Sequence, residues 1–267
     1  LIPTNSNLPF FVASPKLFAL MNDTTAPVRH ETIGGKRVPV RAVQINGKDV
    51  RLVKLGDIAE VKVGLQTGDN DAYLFQNPGA WGTYRSIDDC RGFLLTTADL
   101  ERIRSDETLR VEVIHRGISK DDKKSLRYFG GRYIVPYDKG GESDSDEGWM
   151  PNYWVPTNYF IDWSEQAVHS IEILTIAEVY RRKGKSVPAG KGHFETTVAG
   201  LFRNQDFYFQ VGITFSDTGF YAPTFRLSSG GTFDVMGMTL FADADSEQLC
   251  GLLASRLTRF SVKNFVN

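Results

Sequence analysis

The sequence has few cysteines and no long apolar run. Its 267 residues include only Cys90 and Cys250, which are too few and too far apart for a disulfide framework or a zinc cluster. We therefore expect two reduced thiols in a cytoplasmic protein. No stretch reaches the roughly 18 apolar residues of a membrane span. Residues 1–5 contain neither an initiating Met nor the basic region of a signal peptide, so we expect a piece of a longer protein.

Motifs that identify common catalytic and metal sites are also missing. The sequence contains no Gly-x-Ser-x-Gly nucleophile turn and no lysine-bearing phosphate loop. Its four histidines stand alone, without the paired spacing of metal ligands. Glu60-Val61-Lys62 matches a tripeptide of restriction nucleases, but so short a match arises easily by chance. We predict no catalytic residue and no metal site in this chain.

The formal net charge is −1, which is low for a protein that binds nucleic acid. The basic residues are nevertheless clustered. Eight of them lie between Arg29 and Lys62, against four acidic residues. A second cluster, in 181–191, contains Arg181, Arg182, Lys183, Lys185 and Lys191 and no acid. Such a cluster is either a solvated surface or a phosphate-binding surface, and composition alone does not decide between them.

Strands are predicted within 37–63, 133–137, 207–215 and 232–241, where β-branched and aromatic residues are frequent. Asn46-Gly47 suits a two-residue hairpin turn inside the first of these stretches. Pro136 cannot donate a backbone hydrogen bond, so we expect it to end its strand or to place that strand at a sheet edge.

Helices are predicted from Thr97 to Ile103, from Ser164 to Arg182 and from Ser246 to Phe265. Thr97 and Ser164 are the expected N-caps of the first two. Gly184 and Pro188 end the second helix. Strands and helices mix without a regular strand–helix–strand alternation, which favours the α+β class with a mixed sheet.

Five phrases carry a resemblance to a known family. They are GLQTGDNDAYLF (64–75), RYIVPYDKGGE (132–142), RNQDFYFQVGITFS (203–216), GGTFDVMGMTLF (230–241) and LLASRLTRFSVKNFVN (252–267). Together they resemble the target-recognition half of bacterial adenine-N6 DNA methyltransferases, over roughly residues 55–267. The likeness is strongest to PglX-type enzymes of BREX phage-defence systems and to type IIG restriction–modification proteins, with a specificity domain similar to the C-terminal domain of the TaqI methyltransferase.

The resemblance implies an organisation and a set of partners. Residues 1–36 would connect to an absent methyltransferase domain, 37–245 would form the DNA target-recognition domain, and 246–267 would be a helix leading to a spacer arm. The implied partners are double-stranded DNA, the methyltransferase domain of the same parent and other subunits of the defence system. The role expected of the chain is sequence-specific DNA recognition.

Candidate DNA contacts follow from residue type and neighbourhood in the sequence. Gly68 is expected to adopt a positive φ, so that Thr67, Asp69 and Asn70 bond the backbone or a phosphate, although a purely architectural turn is the alternative. The candidate phosphate contacts are Arg37, Lys62, Lys139, Arg181, Arg182, Lys183 and Arg203. The candidate base readers are Asn70, Asp217, Thr218 and Tyr221.

The resemblance does not extend to the chemistry of methyl transfer. An adenine-N6 methyltransferase needs an Asn/Asp-Pro-Pro-aromatic loop and a glycine-bearing turn for S-adenosylmethionine, and the sequence contains neither. We therefore expect no cofactor in this chain and assign S-adenosylmethionine to the absent catalytic domain. Whether the parent also cleaves DNA stays open.

Two alternatives remain at this point. The aromatic-rich stretches 149–163 and 207–225 would suit a protein-interaction domain that docks another subunit. A free-standing enzyme would require a cofactor site that the sequence does not disclose. Salt separates the first alternative from DNA binding, since phosphate contacts weaken steeply with salt whereas an apolar interface barely responds.

Overall fold

The computed structural model describes residues 27–45, 47–140, 156–215, 224–243, 245–255 and 258. The chain divides into two units, Leu1–Ala59 and Glu60–Asn267. From the sequence, the first domain boundary was predicted between residues 36 and 37. That boundary falls within a hairpin of the first unit, because strand β1 (Val28–Ile33) pairs antiparallel with β2 (Lys36–Ile45).

The first unit is an antiparallel sheet in the order β1-β2-β3, followed by one helical turn, α1 (Leu55–Ile58). Strand β3 (Lys48–Leu52) pairs with β2 so that Ile45 lies opposite Lys48. That register leaves a two-residue turn and confirms the predicted hairpin; Gly47 there has a φ of 74°. Asn46 itself lies outside the described residues.

The second unit contains two sheets. A four-stranded sheet has the order β10-β9-β12-β4, and a five-stranded sheet has the order β11-β7-β8-β5-β6. The strands are β4 (Ala59–Lys62), β5 (Leu74–Gln76), β6 (Arg85–Ser86), β7 (Ile134–Asp138), β8 (Tyr159–Asp162), β9 (Ile213–Phe215), β10 (Phe225–Leu227), β11 (Thr232–Phe233) and β12 (Thr239–Ala242). Parallel pairs (β5 with β6, β7 with β11) occur beside antiparallel ones, so the five-stranded sheet is mixed and the α+β class is confirmed.

The helices of this unit are α2 (Asn70–Tyr73), α3 (Thr97–Ser105), α4 (Glu107–Arg116), α5 (Glu165–Ile173), α6 (Ile176–Arg182) and α7 (Ser246–Leu253). Short polar side chains cap most of them, because the first N–H groups of a helix have no partner within it. Ser164 caps α5 as predicted. The cap of α3 is Thr96, one residue before the predicted Thr97, and it forms a capping box with Asp99.

Four predicted elements differ from the structure. The helix expected over 246–265 ends at Leu253, with Ala254 as its C-cap. The helix expected over 164–182 is two helices, because Leu174 is extended and the Thr175 side chain caps a new helix at Ile176. The strand expected over 207–215 shortens to β9, since Phe209 has a φ of 61° that no strand accommodates. The strand expected over 232–241 splits into β11 and β12, with a turn between them in which Asp234 accepts backbone hydrogen bonds.

Pro136 neither ends its strand nor lies at an edge. It sits inside β7, which has β8 on one side and β11 on the other. The short β11 begins at Thr232, which lies opposite Tyr137. On the β11 side, pairing therefore starts at Tyr137, and Pro136 has no strand partner there. The strand tolerates the missing N–H of Pro136 because the pairing with β11 begins at the next residue, Tyr137.

Trp163 lies at the centre of the main core of the second unit. Its ring is fully buried and makes edge contacts with Phe202, Tyr208 and Phe209, each with 5.9 Å between ring centroids. Its Nε1 donates to the carbonyl oxygen of Val113 at 2.9 Å, which joins α4 to the core. No helix in the described part of the chain has the length and apolar character to cross a membrane.

Candidate nucleic-acid interface

The stretch from Lys62 to Asn70, the 62–70 segment, runs beside residues 199–204. Gln66 exchanges two backbone hydrogen bonds with Leu201, of 2.9 and 2.7 Å. The Asn204 side chain donates to the carbonyl oxygen of Val63 at 2.8 Å. This pairing brings together four of the residues predicted from the sequence. They are Lys62, Thr67, Asn70 and Arg203.

Two glycines permit close packing of the 62–70 segment. A Cβ at Gly64 would lie 1.9 Å from the carbonyl oxygen of Phe233, so only glycine fits there without a backbone shift. Gly68 has the predicted positive φ, 77°, and a Cβ there would lie 2.7 Å from that of Ala199. The segment is therefore fixed against its neighbours at both ends.

Polar side chains within the segment hold one another. The buried Thr67 hydroxyl donates to Oδ1 of Asn70 at 2.6 Å, so Thr67 positions Asn70. The buried Asp69 carboxylate lies 3.6 Å from the guanidinium of Arg182, at the end of α6. A hydrogen bond that Arg182 donates to the Tyr73 hydroxyl raises the pKa of Arg182 above its usual value. The segment and the basic cluster of 181–191 are thus joined by a specific ion pair.

The Asn70 amide group extends outward from this arrangement. Its side chain is exposed, and its Nδ2 donates a long 3.5 Å hydrogen bond to the hydroxyl of Tyr84. With Oδ1 held by Thr67, the amide has a defined orientation and donor capacity toward solvent. This is the geometry expected of a group that contacts a base edge or a phosphate.

The basic cluster differs from residue to residue. Arg181 is exposed but lies 2.6 Å from Glu195 and 3.6 Å from Glu178, so carboxylates balance its charge. Arg182 pairs with Asp69 and Glu178. Within the described ranges, no ion pair or hydrogen bond involves the ammonium groups of the exposed Lys183, Lys185 and Lys191. These lysines give the surface its uncompensated positive charge.

Lys139 does not extend from an open loop, as its flanking glycines suggested. Its side chain is only 8% exposed, and its Nζ donates to the Gly140 carbonyl oxygen at 2.9 Å. The ring centroids of Trp81, Tyr84 and Tyr159 lie 5.9, 5.7 and 5.6 Å from that Nζ. The expected direct access to a phosphate is therefore wrong for this conformation, and the ammonium is held behind aromatic rings.

The remaining predicted residues fall into different surroundings. Lys62 is half-buried, with its Nζ 2.5 Å from Glu60 and 4.6 Å from the ring centroid of Phe207. Arg203 is exposed beside the 62–70 segment. Arg37 is exposed on β2 of the first unit. The predicted base readers Asp217, Thr218 and Tyr221 lie outside the described residues.

The aromatic stretches proposed as a docking surface are largely internal. Trp163, Tyr208, Phe209 and Phe225 are all buried in the second unit. Their rings stabilise the fold and leave little apolar area for a partner at these positions. Trp149 and Trp154 lie outside the described residues, so the docking alternative stays a prediction there.

Two buried aspartates, Asp138 and Asp234, lie close to Lys139. The carboxylate of Asp138 pairs with Arg226, and its second oxygen accepts hydrogen bonds from the backbone N–H and the hydroxyl of Ser229 at 2.8 and 2.9 Å. Asp234 accepts backbone hydrogen bonds from Gly140, Met236 and Gly237 at one carboxylate oxygen. The two aspartates fix the turn that contains Lys139 against the turn between β11 and β12.

Burial raises the pKa of Asp234 to about 6 from an ordinary value of 3.8, despite opposing hydrogen bonds and the charge of Lys139. The folded-state pKa is the higher one, so the contribution of this carboxyl to stability is complete below about pH 4 and is lost as the pH rises through about 6. Asp234→Asn keeps an oxygen acceptor for the three N–H groups and cannot ionise. We expect its free energy of unfolding to gain on that of the wild type by about 2 kcal/mol between pH 4 and pH 7.

Urea denaturation at several pH values measures this difference directly. A stability difference between Asp234→Asn and the wild type that stays constant from pH 4 to pH 7 would contradict the assignment. The comparison uses the change of the difference with pH, so any constant cost of the amide group cancels.

Trp81, Tyr84 and Tyr159 lie beside Lys139, and Tyr84 also contacts Asn70; none of the three was a predicted site residue. Arg85 is exposed, and its guanidinium lies 4.1 Å from the ring centroid of Phe75. The signal for Trp81 was its position between Gly79 and Gly82, where a large apolar side chain is unexpected in a turn. Among the described residues, no three His, Cys, Asp or Glu side chains are grouped as a metal site requires.

Comparison with known proteins adds no family to this description. No protein-family model matches the chain, and no curated protein is significantly similar to it in sequence. Fold and site geometry are therefore the observations on which a functional proposal rests.

Proposed function

We propose that the chain is the DNA target-recognition domain of an adenine-N6 DNA methyltransferase from a restriction–modification or phage-defence system. The observation that carries the proposal is the 62–70 segment, which contains Lys62 and Asn70, runs beside the stretch that contains Arg203, and is joined to the 181–191 cluster by an ion pair. Uncompensated lysines beside an oriented amide are what phosphate contact and base reading require.

The proposed mechanism divides the work between two kinds of contact. Lys183 and Arg203 bind phosphates and set the register, and Lys185 and Lys191 extend the same charge. Lys62 has Glu60 as its charge partner and contributes less. Arg181 and Arg182 act mainly through their carboxylate partners, which shape the surface. Asn70 contacts a base edge, and Asp217, Thr218 and Tyr221 stay candidate readers. S-adenosylmethionine belongs to the catalytic domain of the parent, which supplies the methyl transfer.

Replacing two uncompensated lysines tests the proposal. We expect Lys183→Gln with Lys185→Gln to reduce the slope of log affinity against log salt by about two, one for each lost phosphate contact. Fluorescence anisotropy with a random-sequence duplex between about 50 and 200 mM salt measures the slope. The matched control is Lys123→Gln with Lys124→Gln, two exposed lysines on the loop after α4.

The two double variants change the net charge equally, so their comparison isolates position from charge. Equal slopes for both would show that only overall charge is sensed and would contradict an interface at 181–191. Absence of salt-dependent binding by the wild-type chain would contradict DNA recognition altogether.

A further inference from the structure

Trp81 is a large aromatic side chain exposed on a firmly held turn. Its side chain is 56% exposed. The amide of Gln76 donates to the carbonyl oxygens of Ala80 and Gly82, each at 3.1 Å, and accepts from the backbone N–H of Tyr84. The Tyr159 hydroxyl donates to the carbonyl oxygen of Trp81 at 2.8 Å. These four hydrogen bonds fix the backbone of the turn while the indole faces solvent.

A positive charge lies behind this exposed ring. The ammonium of Lys139 is within 6 Å of three ring centroids, those of Trp81, Tyr84 and Tyr159. Tyr84 and Tyr159 contact each other edge to face, with 6.2 Å between centroids. In the described part of the chain, no carboxylate forms an ion pair with this ammonium. An exposed π-surface backed by a cation favours a ligand that has both an aromatic face and a negative charge.

The position of the turn relates it to the candidate interface. Asn70 of the 62–70 segment donates to the Tyr84 hydroxyl at 3.5 Å, and Tyr84 is part of the same ring cluster as Trp81. Arg85 follows directly and is exposed. A nucleotide combines a planar base with a phosphate, and a base within an intact duplex has both faces covered by its neighbours. Only a base that has left the stack offers a face to an indole.

We propose that Trp81 is a stacking platform for a single nucleobase that has left the DNA duplex, with the field of the buried Lys139 ammonium favouring a negatively charged nucleotide over a neutral ring. The inference rests on the proposed DNA-recognition function and specifies which state of the DNA the surface binds. An acidic protein segment is disfavoured as the occupant, because it offers no planar ring to the indole.

Two duplexes of one sequence test the platform, one fully paired and one with a single bulged nucleotide at its centre. We expect the wild-type chain to bind the bulged duplex about tenfold more tightly, the gain typical of one base stacked on an aromatic side chain. Trp81→Ala abolishes this preference, and Trp81→Phe retains part of it. Leu126→Ala, which truncates another exposed apolar side chain (69% exposed), is the matched control and leaves the preference intact.

The outcomes separate this inference from the function on which it rests. Salt-dependent binding with equal affinity for both duplexes overturns the stacking platform alone, as does a preference that survives in Trp81→Ala. No salt-dependent binding of either duplex overturns the DNA-recognition function itself. Polyglutamate is added as a competitor for both duplexes. If it displaces them equally and the bulge has no effect, the chain recognises charge only, and the platform is overturned. Thermal unfolding shows whether each variant is folded. If Trp81→Ala does not fold, the comparison of Trp81→Phe with the wild type still tests the platform.

Discussion

Replacing Arg226 with methionine lowers the free energy of unfolding by about 3 to 5 kcal/mol. Arg226 and Asp138 are 3% and 2% exposed, and the guanidinium is the charge partner of the carboxylate. Methionine keeps much of the side-chain volume but leaves the negative charge of Asp138 buried without its partner. The hydrogen bonds from Ser229 do not replace that charge. Chemical denaturation with a constant m-value measures the loss.

The control for this result is a similar pair nearer the solvent. Arg132 makes two hydrogen bonds to Asp99, but its side chain is 32% exposed, so water screens the charge that Arg132→Met leaves behind. We expect that variant to lose about 1 kcal/mol or less. Adding Asp138→Asn to Arg226→Met should recover part of the loss, since the unpaired charge is then removed. A loss in Arg226→Met no larger than in Arg132→Met would contradict a charge-pairing role.

Trp163→Ala is the second substitution for which we expect a large effect, a loss of about 3 to 5 kcal/mol. The indole is fully buried among three aromatic rings, and its Nε1 binds the last turn of α4. Alanine leaves a cavity and removes the indole hydrogen bond to the Val113 carbonyl oxygen, which still accepts from the N–H of Gly117.

Two further variants separate the contributions of Trp163. Trp163→Phe refills most of the volume but lacks the N–H donor, so we expect an intermediate loss. Val111→Ala, at an exposed position on the same α4, should change stability by no more than about 0.5 kcal/mol. A loss below about 1.5 kcal/mol for Trp163→Ala would mean that the three rings close the space without it. Thermal and urea unfolding of all three variants make the comparison.

The sequence predicted those features that depend on near neighbours. The α+β class, the cap at Ser164, the hairpin at Gly47 and the positive φ of Gly68 each follow from a few adjacent residues. Each reflects a backbone preference that acts over one turn. The exact position of an N-cap is harder to predict: the observed N-cap of α3 is Thr96, one residue before the predicted Thr97.

Features that depend on distant contacts were missed. Helical periodicity continues through Leu174, but Thr175 pairs with Val198 and begins a new helix, and Val198 is not adjacent in the sequence. The glycine after Lys139 suggested an open loop, whereas that glycine permits tight packing: a Cβ at Gly140 would lie 1.9 Å from the backbone of Met236. Residue type at one position does not reveal which distant backbone approaches it.

The same reasoning applies to the candidate interface. The basic side chains of 181–183 were chosen for their charge, but carboxylates at Asp69, Glu178 and Glu195 balance two of the three. Trp81 had no predicted role, because its significance depends on Lys139 and Tyr159 from other parts of the chain. Charge and aromatic content indicate a kind of surface, while folding determines which groups remain accessible.

The fixation of the 62–70 segment limits how the proposed DNA-recognition function could be re-engineered. Its shape depends on Phe233 at one end, Ala199 at the other and a guanidinium from α6. Transplanting this stretch alone into a foreign scaffold would leave those supports behind, and the graft would lose its conformation. Exchanges of target preference should therefore move the whole second unit or else substitute single outward-facing side chains such as Asn70.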